Sequence, residues 1–180
     1  MNRDEVLAAI TRALAVLFLP VAFVRGPRHA RRLACRWALG LRFPAENLAG
    51  LTPAAREAFT AARTEAFWRD GQLIGLTSGH RDAAMQHRMY VAEVARTAGA
   101  PVTVLPPERS AHVRGTAMDV RPRAGARWLE AHGWRHGLHR TYDNEWWHFE
   151  HHPDGPPARL PHPGATPRRA APGRPSAGLR

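Results

Sequence analysis

Near the start of the chain, apolar side chains run almost without a break. Residues 6–24, "VLAAITRALAVLFLPVAFV", are interrupted by Arg12 and Pro20 and are long enough for a helix that crosses a bilayer. Beyond residue 50 the pattern becomes periodic. In "LTPAAREAFTAARTEAFWRDG" Ala, Phe and Trp recur at helical spacing, Thr52 suits an N-cap, Pro53 suits the first turn and Gly71 ends the run. "QLIGLTSG" predicts a strand, and "RDAAMQHRMYVAEVARTAGA" a second helix ending near Gly99. "GTAMDVRP" and "NEWWHFEH" predict two more strands, with "GARWLEAHGW" as a helix between them. From Pro153 onward Pro, Gly and Arg dominate with almost no large apolar residue, a composition that predicts a disordered tail. Three segments result: 1–45, apolar with a basic flank; 46–152, a folded domain; and 153–180, the tail.

The first segment allows two readings. As a membrane anchor it is long enough, but Arg25, Arg28, Arg31, Arg32 and Arg36 follow it, and the positive-inside rule keeps such a flank in the cytoplasm with the rest of the chain behind it. No small-residue cleavage site precedes the basic run, and "RLAC" lacks the apolar residue expected three before a lipidated Cys35. The other reading is an apolar helix packed on the domain.

Composition narrows the function classes. The net charge is +11 and the pI about 11.6, and every basic residue is arginine, as expected of GC-rich coding. The charge favours an anionic cell wall or membrane surface. Neither a recognition-helix signature nor interleaved basic and aromatic strands are present, so no specific nucleic-acid partner is expected. Cys35 is the single cysteine, which excludes an intrachain disulfide and a cysteine-based zinc knuckle.

The remaining histidines and carboxylates carry the chemistry. His112 and Asp119 flank Gly115, where the chain can leave a loop and enter a strand so that both side chains turn to one point. Glu145 and His148 follow as Glu-x-x-His. Two imidazoles and a carboxylate make a three-ligand zinc set with a fourth position open, and a further carboxylate nearby can take a proton from water there. One conflict stands: in a regular strand Glu145 and His148 point to opposite faces, so a bulge or a strand start is needed at "NEWW".

Three segments in order, "LTSGHRDAAMQ", "SAHVRGTAMDV" and "YDNEWWHFE", resemble the Ser-Gly-Tyr-Arg…Gln, Ser-x-His-x-x-Gly-x-Ala-x-Asp and Glu-x-x-His-Phe motifs of zinc D-Ala-D-Ala carboxypeptidases of the vancomycin-resistance type. The resemblance spans roughly residues 50–152. It implies an α+β fold, a small antiparallel sheet with packed helices of the Hedgehog/DD-peptidase type. It also implies Zn2+ held by His112, Asp119 and His148, Glu145 as general base, Arg81 beside the scissile carbonyl, and Ser110 and Gln86 lining the substrate cleft. The packing that holds the ligands would come from Ala117, Met118 and Val120.

His80 departs from the family pattern, standing where Tyr is usual. His151 and His152 are ranked below His148 as ligands because they fall where the strand gives way to the tail. His132, His136 and His139 read as loop or helix-end polarity, Trp146 and Trp147 as core and cleft wall, and Asp82, Asp143 and Asp154 as loop or capping residues. The function implied is hydrolysis of D-Ala-D-Ala stem peptides of peptidoglycan by a monomer at the cell envelope, extracytoplasmic or held at the membrane by the N-terminal apolar segment. The alternatives are an endopeptidase of the same fold and a non-catalytic cell-wall binding module.

Overall fold

The structure is a computed structural model that describes residues 3–97 and 103–166. Its elements in chain order are α1 (Arg3–Arg25), α2 (Ala30–Arg42), α3 (Pro53–Arg69), β1 (Gly75–Ser78), α4 (Ala83–Thr97), β2 (Ala117–Arg121), α5 (Arg123–His132), β3 (Leu138–Arg140) and β4 (His148–His151). The strands form one antiparallel sheet in the order β1-β2-β4-β3, so the expected α+β architecture is present. The predicted end of α4 near Gly99 lies outside the described residues.

Local chemistry sets the element boundaries. The Thr52 hydroxyl accepts from the Ala55 amide at 3.2 Å and Pro53 opens α3, a cap that contributes about 1 kcal/mol. Asp82 caps α4 through the Met85 amide at 2.8 Å. Apolar residues of α3 (Phe59, Ala62, Ala66) and α5 (Ala126, Leu129) pack with Met118, Val120 and Phe149 into the main core and so cover one face of the sheet. Trp146 joins that core from its edge. The opposite face is left for polar side chains.

A buried ion pair ties the layers together. Arg63 of α3 donates to Glu46 at 3.0 Å, and the other carboxylate oxygen of Glu46 accepts from the Leu76 amide of β1 at 2.6 Å. The two side chains are only 5% and 7% exposed.

The apolar N-terminal run is a helix that lies on the domain. Thr11, Ala15 and Ala22 of α1 are buried, Ala15 and Ala22 completely. Ala15 and Ala22 face α2, itself an amphipathic helix that the hydrophobic pattern did not predict, and Phe18 meets Trp37 edge-on at 6.0 Å.

The tail is ordered further than expected. Leu160 bridges Tyr142 in parallel, and the amides of Asp143, Asn144 and Leu160 donate to Leu160, Pro161 and Thr141 carbonyls. Arg159 pairs with Glu130 at 2.9 Å and with Asp143 at 2.5 Å. Composition predicted disorder because it counts core-forming side chains, whereas residues 158–163 are held mainly by backbone hydrogen bonds and ion pairs. Residues 167–180 of the predicted tail lie outside the described residues.

Candidate metal centre and its cleft

The sheet register brings the predicted residues together. Asp119 of β2 stands opposite His148 of β4, with Ser78 of β1 beside Asp119 on its other flank. Because strand side chains alternate, Asp119, His148 and Glu150 share the face opposite Met118 and Phe149. His112 arrives from the turn before β2, whose Gly115 has a φ of +70°. A Cβ at Gly115 would stand 2.3 Å from the Gly50 carbonyl oxygen, so glycine is required both for the turn and for the close approach.

The three ligand-type atoms of His112, Asp119 and His148 lie within 4.8 Å of one another. His112 Nε2 is 3.4 Å and His148 Nδ1 3.0 Å from Asp119 Oδ1. Ligands in a tetrahedral zinc site are spaced roughly 3.4 Å apart, so the donor set fits such an ion. The other nitrogen of each ring is engaged. His112 Nδ1 donates to the Gly79 carbonyl at 2.6 Å, and His148 Nε2 donates to Glu150 at 3.2 Å. These bonds orient the free edge of each imidazole toward Asp119, the arrangement that metal-binding histidines use.

Charge in the cluster is strongly coupled. Burial alone would raise the Asp119 carboxyl, but hydrogen bonds from His112 and His148 hold it well below the usual carboxylate range. Burial opposes the charge on His148, yet Asp119 and Glu150 outweigh it and push the imidazole up to about 9. A cation bound here therefore takes the place of a proton.

Glu145 resolves the parity conflict. β4 begins only at His148, and Glu145 sits in the turn before it, whose His148 amide donates to the Glu145 carbonyl at 3.4 Å. The carboxylate is thereby turned toward the cluster, with Oε2 3.9 Å from His148 Nδ1. Burial is the largest influence on Glu145; attraction to His148 opposes it and repulsion from Asp119 adds to it, and the carboxyl ends above its ordinary range. That shift suits a group that accepts a proton and gives it back.

Arg81 is placed by Gln86. Its Nη1 donates to Gln86 Oε1 at 2.7 Å, Gln86 Nε2 donates to the Leu105 carbonyl at 2.6 Å, and Arg81 Nη2 reaches Ser78 Oγ at 3.5 Å. Among the described residues Arg81 and Asp82 form no ion pair, and Arg81 lines the cleft. Every residue singled out from the sequence for the site lines one cavity of about 200 Å³, Ser110 from its buried position at the start of the turn.

Three features of the site were not predicted. Glu150 backs His148 and also accepts from His152 Nε2 at 3.0 Å and from Thr141 Oγ1 at 3.3 Å. The signal was present as an acidic residue two positions past a candidate ligand, hence on the same strand face. Tyr142 lies with its ring centroid 5.1 Å from that of His148, and burial, helped by Glu150 and Glu145, pushes its hydroxyl up to about 12, so it stays protonated. Pro163, from the segment read as tail, forms part of the cavity wall.

Among the described residues no other histidine belongs to the three-residue cluster, and His152 reaches it only through Glu150. His80 is exposed and lies over Gly50, and His136 bonds Glu65 at 2.7 Å. His132 meets Trp128 edge-on, and the His151 amide donates to the Thr116 carbonyl. Trp147 lines the cavity, as expected of a cleft wall.

The fold and cluster thus define a small α+β domain with a His-Asp-His metal-type centre on the open face of its sheet. No protein-family model matches the chain, and no curated protein matches it. Among solved structures, the Zn(II) complex of the vancomycin-resistance D,D-pentapeptidase VanY is 23% identical, with a TM-score of 0.50 over 59% of this chain and 76% of that one. VanYB in complex with D-alanine-D-alanine is 21% identical, with a TM-score of 0.47 over 56% and 71% of the two chains. The L,D-carboxypeptidase DacB from Streptococcus pneumonia is 24% identical, with a TM-score of 0.46 over 58% and 67%. The chain shares the fold of the VanY peptidase.

Proposed function

We propose that the protein is a zinc-dependent peptidase of bacterial peptidoglycan that removes terminal D-Ala from stem peptides ending in D-Ala-D-Ala. The observation that carries this reading is the convergence of His112, Asp119, His148, Glu145 and Arg81 on one cavity. The VanY likeness supports the fold behind it.

His112, Asp119 and His148 would hold the metal, which when bound acts as a Lewis acid toward a carbonyl and acidifies water. Glu145 takes the proton from the attacking water and passes it to the leaving amine; its raised affinity for protons suits both steps. Arg81 donates to the oxyanion that develops on the scissile carbonyl, with Gln86 holding its fork in position. Tyr142 remains a neutral hydroxyl donor at the same wall. The place of work is the cell envelope, and the acting unit is a monomer.

The test is incubation of the zinc-loaded protein with purified muropeptides, with product masses compared against Glu145→Gln carrying the same zinc content. Free D-Ala from a pentapeptide stem, absent with the variant, is the expected result. D-Ala released only from tetrapeptides would move the activity to the L,D bond, and internal fragments would make it an endopeptidase. A wild type inert on every muropeptide would leave a binding module.

A further inference from the structure

An 18-residue apolar stretch of α1 has a mean hydropathy of 2.2, yet only 17% of it is buried. A core helix would be covered. Ala15 and Ala22 pack on α2 with Leu14, Phe18 and Leu19 partly covered beside them, while a second set of large side chains points away: Val16, Leu17, Val21, Phe23 and Val24 are 53–85% exposed. At 100° per residue these five and Ile10 fall within one arc, and no charged residue occurs between Arg12 and Arg25.

Arginines border this face. Arg25, Arg28, Arg31 and Arg36 are exposed, and residues 6–45 contain no acidic side chain. A groove of about 550 Å³ beside α1 has Val16, Leu19, Pro20 and Phe23 as its floor and Arg28 and Arg31 at its rim. Acyl-chain chemistry and phosphate chemistry thus lie side by side, the combination found in helices that rest in the interface of an anionic bilayer.

Spanning the bilayer is disfavoured by what α1 is fastened to. Crossing would pull Ala15 and Ala22 off Ala34, Ala38 and Leu39, or drag the arginines of α2 into hydrocarbon. Further ties are Phe18 against Trp37 and the Arg25 guanidinium over the same Trp37 ring at 5.7 Å. We infer that α1 docks the protein onto the surface of an anionic phospholipid membrane, lying in the plane of the interface with its exposed Val16/Leu17/Val21/Phe23/Val24 side down and Arg25, Arg28, Arg31 and Arg36 on lipid phosphates. The positive-inside rule governs crossing segments, so an in-plane helix removes the conflict between the basic flank and a substrate outside the membrane.

This contact is separate from the chemistry of the cavity, and its readout is lipid binding. The full chain is mixed with vesicles of phosphatidylcholine alone or with added phosphatidylglycerol, and flotation measures the bound fraction. Binding to the anionic vesicles is expected, weakened by salt, and weaker at least ten-fold in Leu17→Glu/Val21→Glu. Arg28→Gln/Arg31→Gln should lose about five-fold per charge on phosphatidylglycerol and nothing on phosphatidylcholine. In membranes from expressing cells, alkaline carbonate should release the protein. Retention after carbonate would overturn the in-plane placement in favour of a spanning helix. A lipid-free dimer that ignores vesicles would assign the face to a second copy. Should either variant lower the unfolding midpoint, the wild type's preference between the two vesicle types decides alone.

Discussion

The Glu150 carboxylate stands 3.2 Å from His148 Nε2, on the far side of the imidazole from Asp119, so one ring is held between two carboxylates. Neutralising the outer one as Glu150→Gln keeps the shape and removes the charge that fixes the ring. Metal affinity should fall about 10- to 100-fold with the fold retained. Zinc titration against a competing chelator measures this, and an unchanged constant would make Glu150 a purely structural partner of His152 and Thr141.

Arg81→Ala should leave zinc bound while lowering kcat by roughly a hundred- to a thousand-fold. Arg81→Lys should recover little, because a point charge does not reproduce a planar fork that Gln86 holds through Nη1 while Nη2 reaches Ser78. Steady-state rates and zinc content on the same samples decide the matter, and normal turnover in the alanine variant would remove Arg81 from the reaction.

Glu46→Gln tests the buried pair. It leaves the Arg63 guanidinium, 5% exposed, without a counter-charge, and should cost about 3–5 kcal/mol in urea unfolding. The double variant Glu46→Gln/Arg63→Met should recover much of the loss, since no isolated charge remains. A loss under about 1 kcal/mol in the single variant would place the pair with ordinary surface bridges.

Cys35 should be inert in the folded protein. Burial, opposed by Arg63, pushes its thiol up to about 11, and the residue is 1% exposed. At pH 8 a disulfide reagent should label it only at the rate of unfolding, with immediate labelling in denaturant. Rapid labelling of the native protein would show that the α1–α2 packing opens readily.

The candidate metal cluster was legible because His112, Asp119 and His148, with Gly115 and Glu145 beside them, stand in short ordered motifs along the chain. The long helices α3 and α4 were legible through their caps and period. What escaped depended on partners distant in the chain. β3 has three residues, too few for a period, and exists because β4 supplies its hydrogen bonds. The charge at Glu150 gains meaning only once the strand places it behind His148. The apolar N-terminal run fits a spanning helix by length, and only its contact with α2 shows that one side is already occupied.

The short parallel bridge between Tyr142 and Leu160 moves the edge of the folded unit. A protein cut at residue 152, where the resemblance and the last strand both stop, would keep every side chain proposed for the reaction. It would lose Pro163 from the cavity wall, along with the Arg159 clasp on Glu130 and Asp143. Fusion partners and truncation boundaries therefore belong after residue 163. A shortened chain that folds, binds zinc and handles its peptides poorly would be reporting a missing wall, with its chemistry intact.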